Sequence, residues 1–240
     1  MKHQCQAPNP QVPRMTEIRT ARLLLRPWRD SDLAPYAAMN ADPEVRRWFS
    51  STLTRAESDA EAAKFQARIA AHGFGCWAVE VPGVEPFIGF VGLKHVTFTA
   101  AFTPAIEAGW RLARPHWGKG YATEAARAAL AHGFGSLGLN EILAFTVPDN
   151  AASREVMQRI GMRRDPAGDF DHPHLPLDSP LRRHVLYRIR REQWRAGVAA
   201  QTAACLESSL ARFSAEGHHR SLPLLLPAKA PGRSNTHPCP

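Results

Sequence analysis

Residues 110–130 read WRLARPHWGKGYATEAARAAL, and the order of residue types in this stretch decides which folds can contain it. A strand-like run ends at Leu112, two glycines flank a lysine at Gly118–Gly120, and an alanine-rich segment follows without a spacer. Apolar residues at Ala122, Ala125, Ala126, Ala129, Leu130 and Phe134 recur at helical spacing and predict a helix with one buried stripe. Glycine lets a ligand approach the main chain closely, and a helix beginning at the same point leaves its first N–H groups unpaired, with the positive end of the dipole behind them. The stretch therefore predicts a cradle for phosphate made of backbone amides. Each amide bonded to a charged oxygen contributes about 1.5–3 kcal/mol and the dipole about 0.3–1 kcal/mol, so several amides together dominate. The pattern is not a Walker loop, because GK is not followed by Ser or Thr, and it is not a dinucleotide fingerprint, because GxGxxG does not occur.

On the N-terminal side of this stretch, alternation over Ile18–Trp28 predicts a first strand, and RDSDLAPYAAMN a helix capped by Asp30 or Ser31. TRAE at Thr54–Glu57 is a capping box that opens a helix running to about His72. Cys76–Val81 and Pro86–Val96 read as two strands joined by the turn residues Pro82 and Gly83, and Ala105–Ala113 as a third. On the C-terminal side, Glu141–Val147 is a predicted strand, Asn150 caps a helix that ends before Gly161, and His184–Glu192 is the last strand.

The periodic region covers residues 16–195. Residues 1–15 read as a disordered, proline-rich leader, and 196–240 as a mostly disordered tail rich in Pro, Ser and Ala, with a short helix expected at Ala200–Phe213. At 240 residues the chain suits one domain of mixed α/β class. The net charge of +8 predicts an anionic partner without choosing one. Cys5, Cys76, Cys205 and Cys239 are too scattered for a zinc site or a disulfide framework. With no signal peptide and no apolar run of about 20 residues, a cytoplasmic protein without membrane association is expected.

The glycine stretch resembles the pyrophosphate loop of the GNAT superfamily of acetyltransferases, [QR]xxGx[GA] between a strand and a helix, with Trp117, Gly120 and Ala122 at its first, fourth and sixth positions. Trp117 departs from the general pattern, but WGKGYATEA is the form common in the ribosomal-protein N-terminal acetyltransferase branch. RLLLRPW, IEAGWRL, VPDNAASREVMQRIGM, FDHPHLP and RRHVLYRIRREQW extend the likeness over about Thr16 to Trp194.

The resemblance implies a mostly antiparallel sheet of six to seven strands flanked by about four helices, with a V-shaped split between two central strands. It implies acetyl-CoA as co-substrate, held by Leu112, Trp117, Gly118, Lys119, Gly120, Tyr121, Ala122, Thr123, Asn150 and Ser153. An amine then attacks the thioester directly, without an acyl-enzyme, so the protein must supply a base, an oxyanion donor and a proton for the thiolate. Glu107 is the expected general base, N–H groups near Ala108–Trp110 the oxyanion donors, and Ser153 or Tyr187 the proton donor. As an N-cap, Asn150 also has a structural role. His172 and His174 have no accompanying ligand cluster, and no metal is expected; they shape structure or the acceptor pocket.

At pH 7 an α-amine of pKa about 7.8 is roughly 14% neutral, and a lysine of pKa about 10.4 is ~0.04% neutral. This favours a protein or peptide N-terminal α-amine as acceptor, such as that of a ribosomal protein, with amino acids, polyamines and aminoglycosides as the small-amine alternatives. The other alternative is a basic RNA- or ribosome-binding module that keeps the phosphate loop without catalysis. No RNP-type aromatic motif supports it, so no specific nucleic acid is expected. The chain is expected to act as a monomer or homodimer.

Overall fold

In a computed structural model of the chain, residues 15–200 are described. The predicted leader up to residue 14, the Ala200–Phe213 helix beyond its first residue, Cys5, Cys205, Cys239 and most of the tail lie outside them, whereas Met15, the last residue assigned to the leader, is buried in the core.

The strands are β1 (Ile18–Arg19), β2 (Leu24–Arg26), β3 (Cys76–Val81), β4 (Glu85–His95), β5 (Ile106–Leu112), β6 (Glu141–Thr146), β7 (Arg163–Arg164), β8 (Phe170–Asp171) and β9 (Arg183–Arg190). They form one sheet in the order β1-β2-β3-β4-β5-β6-β9-β7, with β8 against β9. Every pairing is antiparallel except that of β5 with β6. The helices are α1 (Leu33–Ala41), α2 (Pro43–Arg46), α3 (Arg55–His72), α4 (Tyr121–Gly135) and α5 (Ala151–Arg159). None of them is long and apolar enough to cross a membrane.

The architecture is that of the expected mixed sheet with flanking helices, and the additional strands beyond six or seven are two-residue ladders. The expected single strand over Ile18–Trp28 is instead two, because a turn closed by Thr20 N–H to the Leu23 carbonyl at 2.9 Å folds β1 back onto β2. The C-terminal boundary also moves: β9 ends at Arg190 and residues 191–200 are helical, where the sequence reading continued the strand and then expected disorder. Trp194 on this helix packs on Phe134 of α4 with ring centres 5.9 Å apart, an apolar contact that periodicity within the strand cannot reveal.

Alternation along the strands splits the core in two. On one face Trp77, Val79, Val91, Leu93 and Ala108 pack beneath the alanine stripe of α4, where Ala125, Ala126 and Ala129 are fully buried. Alanine at these positions lets the helix axis lie close to the sheet. On the other face Cys76, Ala78 and Phe90 meet Trp28, Tyr36 and Phe65 beneath α1 and α3. The α3 capping box forms as read, with Thr54 accepting from Glu57 N–H and Glu57 accepting from Thr54 N–H at 2.8 Å. Arg26 of the LRPW segment is a buried strut: its guanidinium makes a two-pronged bond to Asp32 at 2.8 and 2.9 Å and a third to Glu80 at 2.7 Å, tying β2 and β3 to the start of α1.

Candidate active site

The glycine stretch folds as a turn between β5 and α4 in which Gly118 and Gly120 have φ of 73° and 80°. Only glycine adopts this left-handed conformation without a penalty of roughly 1–2 kcal/mol. A Cβ at Gly118 would meet nothing within 4 Å, so the space beside the turn is open. The first helical bond of α4 is Glu124 N–H to the Gly120 carbonyl. None of the N–H groups from Gly118 to Thr123 donates to a protein group among the described residues, and Gly120 offers no side-chain cap. Such unpaired amides at a helix start fit a diphosphate.

Two side chains fix the turn. Trp117, half in solvent, donates from Nε1 to the Leu112 carbonyl at 2.7 Å and pins the turn to the end of β5. Glu124 accepts from the Thr20 hydroxyl, the Arg22 N–H and Arg22 Nε, while Arg22 Nη1 donates to the Lys119 carbonyl at 2.9 Å. The carboxylate of Glu124 thus spends its charge on Arg22 rather than on repelling an anion in the cradle. Arg22 and Glu124 escaped the sequence reading because they are 102 positions apart.

Beyond the turn the sheet opens. β4 and β5 pair over their whole length, whereas β5 and β6 share a single bridge, Glu107 with Leu143. Ala113 N–H bonds to Ile88 and the Ala105 carbonyl accepts from Val96, so the alternation of an antiparallel ladder turns odd-numbered residues of β5 toward β4. Even-numbered residues then face β6. Gly109 is consumed in the ladder with Gly92, Ala108 sits at the bridge, and Trp110 is the first residue past it whose N–H faces the open split.

Glu107 lies on the α1–α3 face of β5 and is 9% exposed. Its Oε2 is 3.2 Å from Lys94 Nζ, its cross-strand neighbour, and its Oε1 lies 3.8 Å from where a Cβ on Gly109 would stand. Burial pushes the Glu107 carboxyl above its ordinary range despite the pull of Lys94 in the other direction, and Glu107 in turn raises Lys94. A raised carboxylate is a stronger base at neutral pH.

Asn150 caps α5: Oδ1 accepts from Ser153 N–H at 3.2 Å and Nδ2 donates to Thr146 Oγ1 at 2.9 Å, which fastens the helix start to the end of β6. The Ser153 hydroxyl is half-buried and has no hydrogen-bond partner among the described residues. Tyr187, by contrast, is 4% exposed within the core on the α4 side of β9, so the structure does not gather it with Glu107, which points to the opposite face.

The DHPHL segment lies across the split from Glu107. His172 packs against Phe98 with ring centres 4.8 Å apart, and Phe98, Phe145, Phe170 and His184 continue the patch. Burial, with His184 and His174 adding to it, pushes His172 down to about 4, so this imidazole is uncharged at neutral pH. No group of three or more His, Cys, Asp or Glu residues able to hold a metal occurs among the described residues.

An open split beside a glycine turn that presents free amides defines a class of protein that binds a phosphate-bearing cofactor along a splayed sheet. The family model described as "Acetyltransferase (GNAT) domain" matches residues 22–163, and the chain belongs to that family. Its members transfer acetyl groups from acetyl-CoA. A relative from Aspergillus fumigatus, FsC-acetyl coenzyme A-N(2)-transacetylase, is 30% identical over 186 residues, covering 74% of this chain and 77% of that one. Among solved structures, a GNAT acetyltransferase from Bacillus anthracis superposes with a TM-score of 0.61 at 27% identity, over 74% of this chain and 99% of the other. Mycobacterium smegmatis RimJ in complex with CoA-disulfide gives 0.54 at 25% identity, over 75% and 89%.

Proposed function

We propose that the chain transfers acetyl from acetyl-CoA to a primary amine by direct attack in a ternary complex, with the α-amine of a protein or peptide N-terminus, such as that of a ribosomal protein, as the favoured acceptor in the cytoplasm. The observation that carries the cofactor half is the run of unpaired amides from Gly118 to Thr123 beside the open edge of β5. These amides take the diphosphate, and the pantetheine arm runs past Leu112 toward Asn150 and Ser153.

In the reaction, the amine nitrogen bonds to the thioester carbon, whose oxygen gains charge and accepts from Trp110 N–H. Glu107 takes the amine proton through a water, with Oε1 free for this while Lys94 holds Oε2. The C–S bond breaks, and the thiolate takes a proton that the Ser153 hydroxyl relays from solvent, so the serine ends as a hydroxyl while Glu107 releases the amine proton to solvent. With a thiol pKa of about 8.5 the leaving group needs little help, so Ser153 contributes less than Glu107. Tyr187 is the alternative donor, and its place in the core favours a packing role.

Calorimetry with CoA, followed by a thiol-release assay across peptides and small amines, tests the reading. CoA-dependent heat together with amine-dependent thiol release supports it. RNA binding that is sensitive to salt, without thiol release, would replace it with the binding-module alternative.

A further inference from the structure

A cluster of rings stands on the sheet outside both cores. Phe98 and Phe102 come from the loop between β4 and β5, Phe145 from β6 and Phe170 from β8, while His172 follows β8 and His184 belongs to β9. Phe98 is the hub, its ring centre 6.2 Å from that of Phe102, 5.9 Å from Phe145, 5.6 Å from Phe170 and 4.8 Å from His172. All six rings are half-buried, and none of the four phenylalanines belongs to either core cluster. Apolar rings gathered at the surface in this way mark a site of interaction. The segments that carry them are tied down: Thr103 Oγ1 donates to the Ala100 carbonyl at 2.8 Å in the β4–β5 loop, and His172 N–H donates to the Arg182 carbonyl at 2.8 Å. The patch is thus built before any ligand arrives.

Its place on the sheet ties it to the reacting groups. Leu143 of β6 is the bridge partner of Glu107, and side-by-side residues of paired strands project from one face. Phe145, two positions on, rises from that same face. Beside it on β5 stands Gly109, half-buried and without a side chain; apart from its chain neighbours, a Cβ there would meet only Glu107 Oε1 and Lys94 Cε, each at 3.8 Å. The floor between Glu107 and Phe145 is therefore open. Diagonal neighbours across a sheet stand about 7–8 Å apart, a gap that a long or aromatic side chain spans. Lys94, the partner of Glu107, is among the charges that act on His172, so the patch extends toward the ion pair from the far side as well.

An amine that gives its proton to Glu107 through a water sits over Gly109, and the group attached to that amine meets the rings. A charged or polar group placed there gives up water for apolar carbon, whereas an apolar group covers surface that both partners otherwise expose. We propose that the ring patch receives the side chain of the acceptor's first residue, and that this side chain is large and apolar, as in a peptide beginning with phenylalanine, leucine or methionine. The inference rests on the acetyl-transfer reading above and narrows its acceptor, selecting against a first residue of alanine or lysine and against polyamines.

The test uses the full chain saturated with CoA and tripeptide amides X-Gly-Gly in which only the first residue differs: phenylalanine, leucine, alanine or lysine. Calorimetry is expected to give at least about tenfold tighter binding of the phenylalanine and leucine peptides than of the alanine peptide, with the lysine peptide weaker than leucine. In Phe98→Ala, a loop position whose truncation spares the strands, the phenylalanine-to-alanine ratio collapses to below about threefold while CoA affinity keeps its wild-type value. Phe102→Ala in the same loop serves if the first variant does not fold, and is expected to lower the ratio in the same direction. Equal binding of the four peptides by the wild type, or a preference for lysine, overturns the inference even if thiol is released. Tighter binding of phenethylamine than of the phenylalanine peptide also overturns it, since the patch would then serve a small amine. If the patch instead seats a second copy of the chain, Phe98→Ala turns a dimer into a monomer in sedimentation and leaves the peptide ratio unchanged, which is a further contradiction. Preference for the apolar peptides without thiol release leaves the inference standing and removes the transfer reading instead.

Discussion

The two halves of the site are made of different material. The proposed cofactor cradle at the start of α4 is main chain: amides of Gly118–Thr123, with side chains serving only to brace it. The face of the sheet opposite α4 is side chain, with Glu107, Lys94 and Phe145 brought together from β5, β4 and β6. A cradle of amides needs only a chain that can trace the turn, whereas a side-chain face depends on which residues the strand register brings together.

Substitutions can break that division in order of severity. Glu107→Gln should lower kcat by about 10²- to 10⁴-fold while leaving the dissociation constant for CoA unchanged. In the wild type, because burial raises the Glu107 carboxyl, the base is lost as pH falls through a value above the ordinary carboxylate range, and kcat/KM falls with it. The variant should lack this acid limb, and a retained limb would remove Glu107 from proton transfer.

Gly120→Val tests the main-chain half. A branched residue at φ 80° is strained, and losing one or two amide bonds to a diphosphate should weaken CoA binding by about 10- to 100-fold. Thermal denaturation monitored alongside separates lost binding from lost folding. Ser153→Ala is expected to lower kcat about three- to tenfold, and Tyr187→Phe by less, in single-turnover measurements. A larger effect at Tyr187 would exchange the two hydroxyls' roles. The smallest change is Asn150→Ala, where the α5 cap is removed at a cost of about 1 kcal/mol, readable as a modest fall in Tm.

The same division explains how far the sequence could be read. Contiguous features were legible: the α4 stripe and its glycine turn, the Thr54–Glu57 capping box, the Asn150 cap, and the strands Cys76–Val81 and Glu141–Thr146, each encoded by local periodicity or local chemistry. Breaks set by tertiary contact were not. The Thr20–Leu23 turn that divides the first strand carries no glycine or proline to mark it, and the helix over residues 191–200 sets Trp194 against Phe134, a contact with a residue 60 positions away. The Arg22–Glu124 brace and the ring cluster around Phe98 join residues far apart in the chain, and no pattern in one sequence marks such pairs. Glu107 stood out as the acid on the strand before the turn, but its pairing with Lys94 required the β4–β5 register.

The central claim is that unpaired amides hold the cofactor, and the most direct measurement follows those amides by nitrogen-15 NMR during titration with CoA. The account predicts large, saturable shifts at Gly118, Gly120 and their neighbours to Thr123, lost when CoA is replaced by pantetheine, which lacks the diphosphate. Saturable CoA binding with these resonances unmoved would contradict it.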